Sequence, residues 1–299
     1  MWLLSALGGV FLLALVNYLD EYLTQHNSVS SDSNIHKRIG GLILISTLLS
    51  VIGVCVLKLV VGDVHMEALP LTISLLSAIP MVFMWTAYFY LLNTYPVYQV
   101  VPLFQLTSIW LLMVAVATGQ DITLLGVAGI ALLIVGAYLL DVGKFEWSIP
   151  SRLLGVLAGV TLVWSICQYM VRTASDMTHN VGAVSFWQYA GVTILGLILL
   201  IAVRQYREGL MYRIKHQGRM FLGFSVVNES LSQASFVLLN FAIALAPVAA
   251  YASSISGAQS VFLLGLFLLF PQKKTEVNAI QVAAIVMIAL GVGLFELGQ

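Results

Sequence analysis

Long apolar segments alternate with short polar ones along the whole chain. A helix needs about 20 mostly apolar residues to cross the hydrocarbon core of a membrane, and the sequence contains about ten segments of this kind. These segments are residues 2–20, 40–60, 69–92, 96–118, 122–141, 152–173, 182–203, 220–244, 246–270 and 278–297. The pattern predicts an all-α integral membrane protein with about ten transmembrane helices.

The first and sixth segments resemble each other. Residues 2–19 read WLLSALGGVFLLALVNYL and residues 152–169 read RLLGVLAGVTLVWSICQY, so six of eighteen positions are identical at an offset of 150. Further along, Pro96 aligns with Pro247, and GAYLL of the fifth segment aligns with GVGLF of the tenth. Leu, Gly and Val are common in every membrane helix, but three matches in the same order argue against chance. They indicate an internal duplication.

The duplication divides the chain into two five-helix repeats. The first covers residues 1–141 and the second residues 152–299, and the charged segment 142–151 joins them. Because five is an odd number of spans, the second repeat must enter the membrane from the opposite side. We therefore expect two inverted repeats, related by a pseudo-two-fold axis in the membrane plane.

Composition agrees with lipid as the main solvent of the chain. Hydrophobic residues make up 60% of it and charged residues 9%, against roughly 25% charged in an average soluble domain. The net charge is zero, so no nucleic-acid surface is expected. We expect Cys55 and Cys167 to be small buried side chains rather than a disulfide or metal site, and we expect no cofactor.

Glycines recur at spacings that favour close helix packing. Small residues let helix backbones approach each other within a membrane. We predict helix contacts, and no substrate contacts, for these positions: Gly126, Gly129, Gly136, Gly155, Gly159, Gly291 and Gly293.

Basic residues are divided unevenly between the two sides of the predicted membrane protein. Lys and Arg stay mainly in cytoplasmic loops, and of the 13 present only Lys58 and Arg172 follow even-numbered segments. The other eleven follow odd-numbered segments: Lys37, Arg38, Lys144, Arg152, Arg204, Arg207, Arg213, Lys215, Arg219, Lys273 and Lys274. This split predicts external termini and a cytoplasmic basic loop at 204–219, for which binding of lipid headgroups or a partner is the alternative role.

One acidic residue stands deep inside a predicted span. Glu229 lies about nine residues into the eighth segment, which places it roughly 14 Å from the helix start and near the membrane midplane. A carboxyl group there is costly unless it is protonated, paired or hydrated, and such residues mark ion or substrate pathways. Gln233 and Asn240 share its helix face, and Asn228 lies beside it. We predict that this face lines a cavity; a protonated Glu229 bonded to a neighbouring helix is the alternative.

Other spans supply further candidates for the pathway. For every candidate listed next, the alternative role is ordinary packing or an interhelical hydrogen bond. The candidates are Trp85 and Tyr88 in the third span, Gln105 in the fourth, Gln168 in the sixth, and Ser253, Ser256 and Gln259 in the ninth. Pro102 removes an internal hydrogen bond from the fourth span, which is tolerated where backbone lines a cavity. Asp20 and Glu21 end the first span, where we expect a hydrated helix end or, alternatively, a gate.

Several motifs recur between the two repeats. NTYPVYQVVPLF is echoed by IALAPVAAYASSI, and LLGVAGIALLIVGAYLL by IQVAAIVMIALGVGLFEL. With these motifs, and with a small-residue-rich first span in each repeat, the whole chain resembles the EamA-type branch of the drug/metabolite transporter superfamily. It departs from that family where many members carry a Gly-Glu pair, since those places read TGQDIT and FPQKKTE. The family's usual cytoplasmic termini also disagree with the charge split.

The resemblance implies a secondary active transporter of small metabolites, amino acids or drug-like compounds. We expect an exporter or exchanger that works by alternating access in the cell (cytoplasmic or inner) membrane, with protons as the candidate coupling ion, as a monomer or homodimer. ATP-driven transport by this chain alone is excluded because no GxxxxGK[ST] motif occurs. The alternatives are a non-transporting scaffold or partner subunit and an intramembrane lipid-modifying enzyme. For the enzyme, the sequence suggests no catalytic or metal-binding residue at membrane depth.

We predict that residue 217 is cytoplasmic and residue 299 external, because basic loops remain inside. The test uses Gln217→Cys and Gln299→Cys, each in a background without Cys55 and Cys167. A membrane-impermeant thiol reagent should label intact cells only at position 299. Labelling at 217 alone would reverse the predicted orientation.

Overall fold

The described part of the chain is built from helices. The computed structural model describes residues 1–25, 35–95, 100–142, 151–269 and 278–297, and no strand occurs within these ranges. The helices are α1 (Trp2–Gln25), α2 (Ile35–Val61), α3 (Ala68–Leu76), α4 (Ala78–Thr94), α5 (Leu106–Ala117), α6 (Leu124–Val142), α7 (Ser151–Thr178), α8 (Val181–Ala202), α9 (Arg204–Leu245), α10 (Ala249–Ser254), α11 (Gln259–Leu269) and α12 (Ala279–Leu297). Two 3-10 turns, Pro102–Gln105 and Ile255–Ala258, directly precede α5 and α11. Most of the predicted joining segment 142–151 lies outside the described residues, as does Pro96.

Within these ranges, six helical stretches are long and apolar enough to cross a membrane. They are Trp2–Asp20, Ile35–Val61, Ala68–Thr94, Arg152–Thr178, Val181–Ala202 and Ala249–Leu269. Three shorter apolar helices accompany them: Leu103–Ala117, Leu124–Leu140 and Ala279–Phe295. Several long apolar helices of this kind are typical of a helical membrane protein.

The outward surface of α2 shows why lipid suits this fold. Val51, Val56 and Leu59 are all exposed there, which would be unfavourable in water. Cys55 is exposed between them, whereas Cys167 on α7 is buried. The expectation of two buried cysteines is therefore wrong for Cys55, because its side of α2 faces away from the other helices.

The longest helix, α9, has 42 residues and a kink at Gly218, whose φ is +61°. The segment before the kink was expected to be a loop, but it is helical and packs against the start of α2. There, Lys37 forms an ion pair with Glu208 at 2.6 Å, and Gly209 lies directly against the Lys37 backbone carbonyl. This close approach, rather than an apolar span, holds the basic segment in helical form.

Beyond the kink, α9 packs between α1 and α2 and also contacts α7 and α8. Its polar side chains form hydrogen bonds to these neighbours. Ser235 Oγ donates to the Gly9 backbone oxygen at 2.7 Å, and Gln233 Nε2 donates to the Leu49 backbone oxygen at 3.0 Å. The polar part of α9 is therefore enclosed by other helices.

Helices α6 and α12 pack closely through small residues. A Cβ on Gly129 would lie 2.9 Å from the Gly291 backbone oxygen, and a Cβ on Gly136 would lie 3.1 Å from that of Ala284. Because the partner number falls as the residue number rises, the two helices are antiparallel. The prediction of close helix packing is not confirmed at three of the glycines. An added Cβ there would have no described neighbour within 4 Å: Gly155, Gly159 and Gly293.

We expect Gly209→Ala to destabilise the protein by about 1–3 kcal/mol, because its methyl group would overlap the Lys37 carbonyl. Gly223→Ala in the same helix is the matched control, since a Cβ there meets nothing within 4 Å. The midpoint of thermal unfolding in detergent should fall for the first variant and stay equal or rise for the second. Equal midpoints would show that the α2–α9 contact is not tight.

Candidate functional site

The helices enclose a cavity of about 110 Å³. Side chains from α1, α2, α4, α5, α7, α9, α10 and α11 line it. Both 3-10 turns border the cavity as well. The space suffices for several water molecules or a small solute.

Most of the residues proposed from the sequence line this cavity. They are Asp20, Trp85, Tyr88, Gln105, Gln168, Asn228, Glu229, Ser253, Ser256 and Gln259. Gln233 and Asn240 do not line it, and the side chain of Glu21 lies outside the described part of the structure. One cavity thus brings together candidates that are more than 200 residues apart in the chain.

The face of α9 that meets the cavity is rotated from the predicted one. Ser232 and Phe236 follow Glu229 along the cavity wall, whereas Gln233 bonds to α2. Asn240 donates to Ser185 Oγ at 3.1 Å and also to Gln188 on α8. The sequence spacing could not separate these two roles, because the cavity face and the packing face are adjacent on the helix.

Two carboxyl groups, one on α1 and one on α9, line the cavity near each other. Glu229 accepts a hydrogen bond from the Ser46 hydroxyl, and Asp20 accepts one from Asn228 Nδ2 at 2.8 Å. Asp20 is only 5% exposed and Glu229 6%. The expected hydrated helix end is therefore wrong for Asp20, because α9 packs along α1 and Asn228 covers its carboxyl group. We name Asp20, Ser46, Asn228 and Glu229 the acidic corner.

Aromatic rings form another part of the cavity lining. The Phe236 ring lies 6.2 Å from that of Trp85 and 5.6 Å from that of Trp164, measured between centroids. Tyr88 packs edge-on against Phe104 at 6.0 Å. These separations are in the range of favourable aromatic pairs. The cavity lining therefore combines polar side chains with aromatic rings.

The two 3-10 turns contact each other at the cavity. Gln105 Nε2 donates to Ser256 Oγ at 3.1 Å, and these residues are 151 positions apart. Trp85 and Phe236, whose rings also pack together, have the same separation in sequence. Residues that correspond under the predicted repeat thus touch each other at the cavity.

Several polar atoms at the cavity have no hydrogen-bond partner among the described residues. They are Thr107 Oγ1, Gln168 Oε1, Asn228 Oδ1 and Gln259 Nε2. Buried polar atoms in folded proteins are normally satisfied by protein groups or ordered water. These four atoms therefore point to water or a bound solute in the cavity.

Sequence reasoning missed Ser46, Thr107 and Ser232 as cavity residues. A lone Ser or Thr in an apolar span is a weak signal, because such hydroxyls commonly bond their own helix backbone. Ser50, one turn from Ser46, does so by donating to the Ser46 backbone oxygen at 3.2 Å. The two serines differ in their partner: Ser46 bonds to Glu229 on α9, whereas Ser50 bonds within its own helix.

No family model matches this chain, and no curated protein matches it. The fold does occur among solved structures. One, described as "Crystal structure of protein", superposes with a TM-score of 0.66 over 98% of this chain and 95% of the other, at 13% identity. At that identity the likeness shows the fold alone. Because it spans both chains nearly completely, the whole helical arrangement is shared, and the protein belongs to the class of all-helical proteins with long apolar helices.

We predict that Ser232→Cys reacts with a small methanethiosulfonate reagent and that Ser235→Cys does not. Ser232 lines the cavity, whereas Ser235 is fully buried against α1. In a background without Cys55 and Cys167, the first variant should react about tenfold faster or more, because thiol reactivity follows access. Equal rates would mean that solutes do not reach this cavity.

Proposed function

We propose that this protein is a secondary active transporter of small organic solutes, working by alternating access as an exporter or exchanger. The observation that carries the proposal is the cavity between corresponding elements of the two predicted repeats. Transporters built from repeats bind substrate where the repeats meet, commonly beside interrupted helices. Here both candidate interruptions, the 3-10 turns at 102–105 and 255–258, border one cavity.

The packing of the helices supports two inverted repeats of five spans each. α1 packs on α9, and its counterpart α7 packs on α3 and α4, which correspond to α9 in the first repeat. Helices that correspond to each other also pair, α2 with α8 and α6 with α12. In α2 and α8, Gly196 lies against Thr47 and Gly182 against Val61, so these helices too are antiparallel. Antiparallel counterparts favour an axis in the membrane plane.

The span count in this proposal is ten. It adds to the six long apolar stretches the three shorter apolar helices and the part of α9 beyond Gly218. That part is not purely apolar, because it carries Asn228 and Glu229. These polar residues are tolerated within the membrane because α1, α2, α7 and α8 enclose the helix. The resemblance of the sequence to EamA-type drug/metabolite transporters supports the same count and places such a carrier in the cytoplasmic or inner membrane.

Glu229 is the residue we propose for proton coupling. It is buried at the cavity, and a carboxyl group in that position can carry a proton between the two sides as the cavity changes access. Its hydrogen bond from Ser46 fits either charge state, since a carboxyl oxygen accepts in both. The proposal needs no further catalytic group or cofactor.

We expect Glu229→Gln to lower proton-driven uptake by about tenfold or more, because the amide keeps the shape but cannot titrate. Amino acids, nucleosides, sugars and cationic dyes are first screened for compounds that raise the melting temperature of purified protein. Each stabilising compound is then tested for uptake into proteoliposomes with an imposed pH gradient. Binding of an uncharged compound without a gradient should persist in the variant.

Glu67→Gln is the matched control, because Glu67 is exposed outside the cavity before α3. Its uptake should equal that of the unaltered protein. If Glu229→Gln transports at an unchanged rate with unchanged pH dependence, the coupling role is wrong. If no stabilising compound crosses the bilayer, the protein is a scaffold subunit, and if the lipid itself is altered, it is an enzyme.

A further inference from the structure

We propose that the cavity binds a protonated amine carried on an apolar or aromatic body, with the ammonium group at the acidic corner. The inference rests on the proposed function and names the substrate class of that carrier. Charge, hydrogen-bonding capacity and aromatic walls each support it separately.

The charge of the cavity is the first argument. Asp20 and Glu229 both line it, whereas no Lys, Arg or His is among the described residues that do. Buried carboxylates are costly unless a cation or hydrogen bonds balance them. A protonated amine is a ligand that would let both groups keep their charge.

The hydrogen-bonding capacity of the corner is the second argument. Asn228 directs its Nδ2 towards Asp20, and the opposite orientation would bring its oxygen against a carboxylate oxygen when Asp20 is ionised. Its Oδ1 is then turned away from Asp20 and has no described partner. Gln168 Oε1, elsewhere on the cavity lining, is likewise without one, and both side chains are at least nine-tenths buried. An ammonium group has three donors and no acceptor, so it matches a corner rich in acceptors.

The aromatic walls are the third argument. Trp85 and Trp164 pack against Phe236 in the lining of the same cavity, and Tyr88 donates a hydrogen bond to Asn17 at 2.8 Å, one turn from Asp20. Ring faces attract cations, and the effect is strongest where water is excluded. The same rings would cover the apolar body of the ligand.

The same features disfavour an anion or a free carboxylate. A carboxylate in the cavity would meet two acids and no basic side chain among the described lining residues. The unpartnered donors among the described lining residues include Gln259 Nε2 and the Thr107 hydroxyl, and both are neutral. Neutral donors of this kind do not offset the repulsion from two carboxyl groups. The preference should therefore follow the charge of the ligand at constant body size.

Three compounds with the same phenyl body test this inference: 2-phenylethylamine, phenylalanine and 3-phenylpropionate. Their affinities for the purified protein are measured by calorimetry. We expect 2-phenylethylamine to bind at least about tenfold more tightly than either of the others. Glu229→Gln and Asp20→Asn should each weaken its binding by a similar factor, while Glu67→Gln should not.

Melting curves of the unbound variants show whether they remain folded. Equal or tighter binding of 3-phenylpropionate or phenylalanine by the unaltered protein would overturn the amine site. The amine site would also be overturned if the unaltered, folded protein bound neither 2-phenylethylamine nor hexylamine.

Transport measured on the same compounds separates the two proposals. If the protein binds 2-phenylethylamine at the acidic corner but never moves a solute across the bilayer, the amine site stands and the transporter proposal fails. If it carries phenylalanine or a neutral solute and does not bind the amine, the transporter proposal stands and the amine site fails.

Discussion

A polar side chain in a membrane has to find its partner inside the protein, because lipid offers none. This constraint acts most strongly on α9, which carries Asn228, Glu229, Gln233 and Asn240 along one stretch. These side chains find partners because α9 is enclosed by α1, α2, α7 and α8. The same enclosure explains why α9 is the most central helix although its composition is the least suited to lipid.

Enclosure divides the polar side chains of α9 into two groups. One group bonds to other helices, as Gln233 does to α2 and Asn240 to α8. The other group, with Glu229 and Ser232, borders the cavity. Only the second group is available to a solute. A rotation of the helix by one residue would bring Ser230 to the position of Glu229 and Gln233 to that of Ser232, so the packing of α9 against its neighbours also determines the chemistry of the cavity.

Sequence reasoning identified the residues of the site better than it predicted their arrangement. Glu229 was recognisable because a carboxyl group so far inside an apolar span has few alternative explanations, and its cavity position agrees. Asp20 was misjudged, since the end of a span is usually wet and nothing in the local sequence reveals that Asn228 covers it. The basic segment before Gly218 was misjudged for the same reason: its helical form depends on the contact of Gly209 with α2. Properties of a single segment were predictable, whereas those that depend on a distant partner were not.

The contact between Gln105 and Ser256 has a particular place in the proposed transport cycle. Two residues that correspond in a pair of repeats can touch only close to the axis that relates those repeats. A motion that exchanges the conformations of the repeats leaves this axis in place, so contacts on it persist while contacts away from it change. Gln105 with Ser256 and Trp85 with Phe236 are such pairs, and both border the cavity. A solute beside them would stay near the axis while access alternates around it, which is the geometry that alternating access requires.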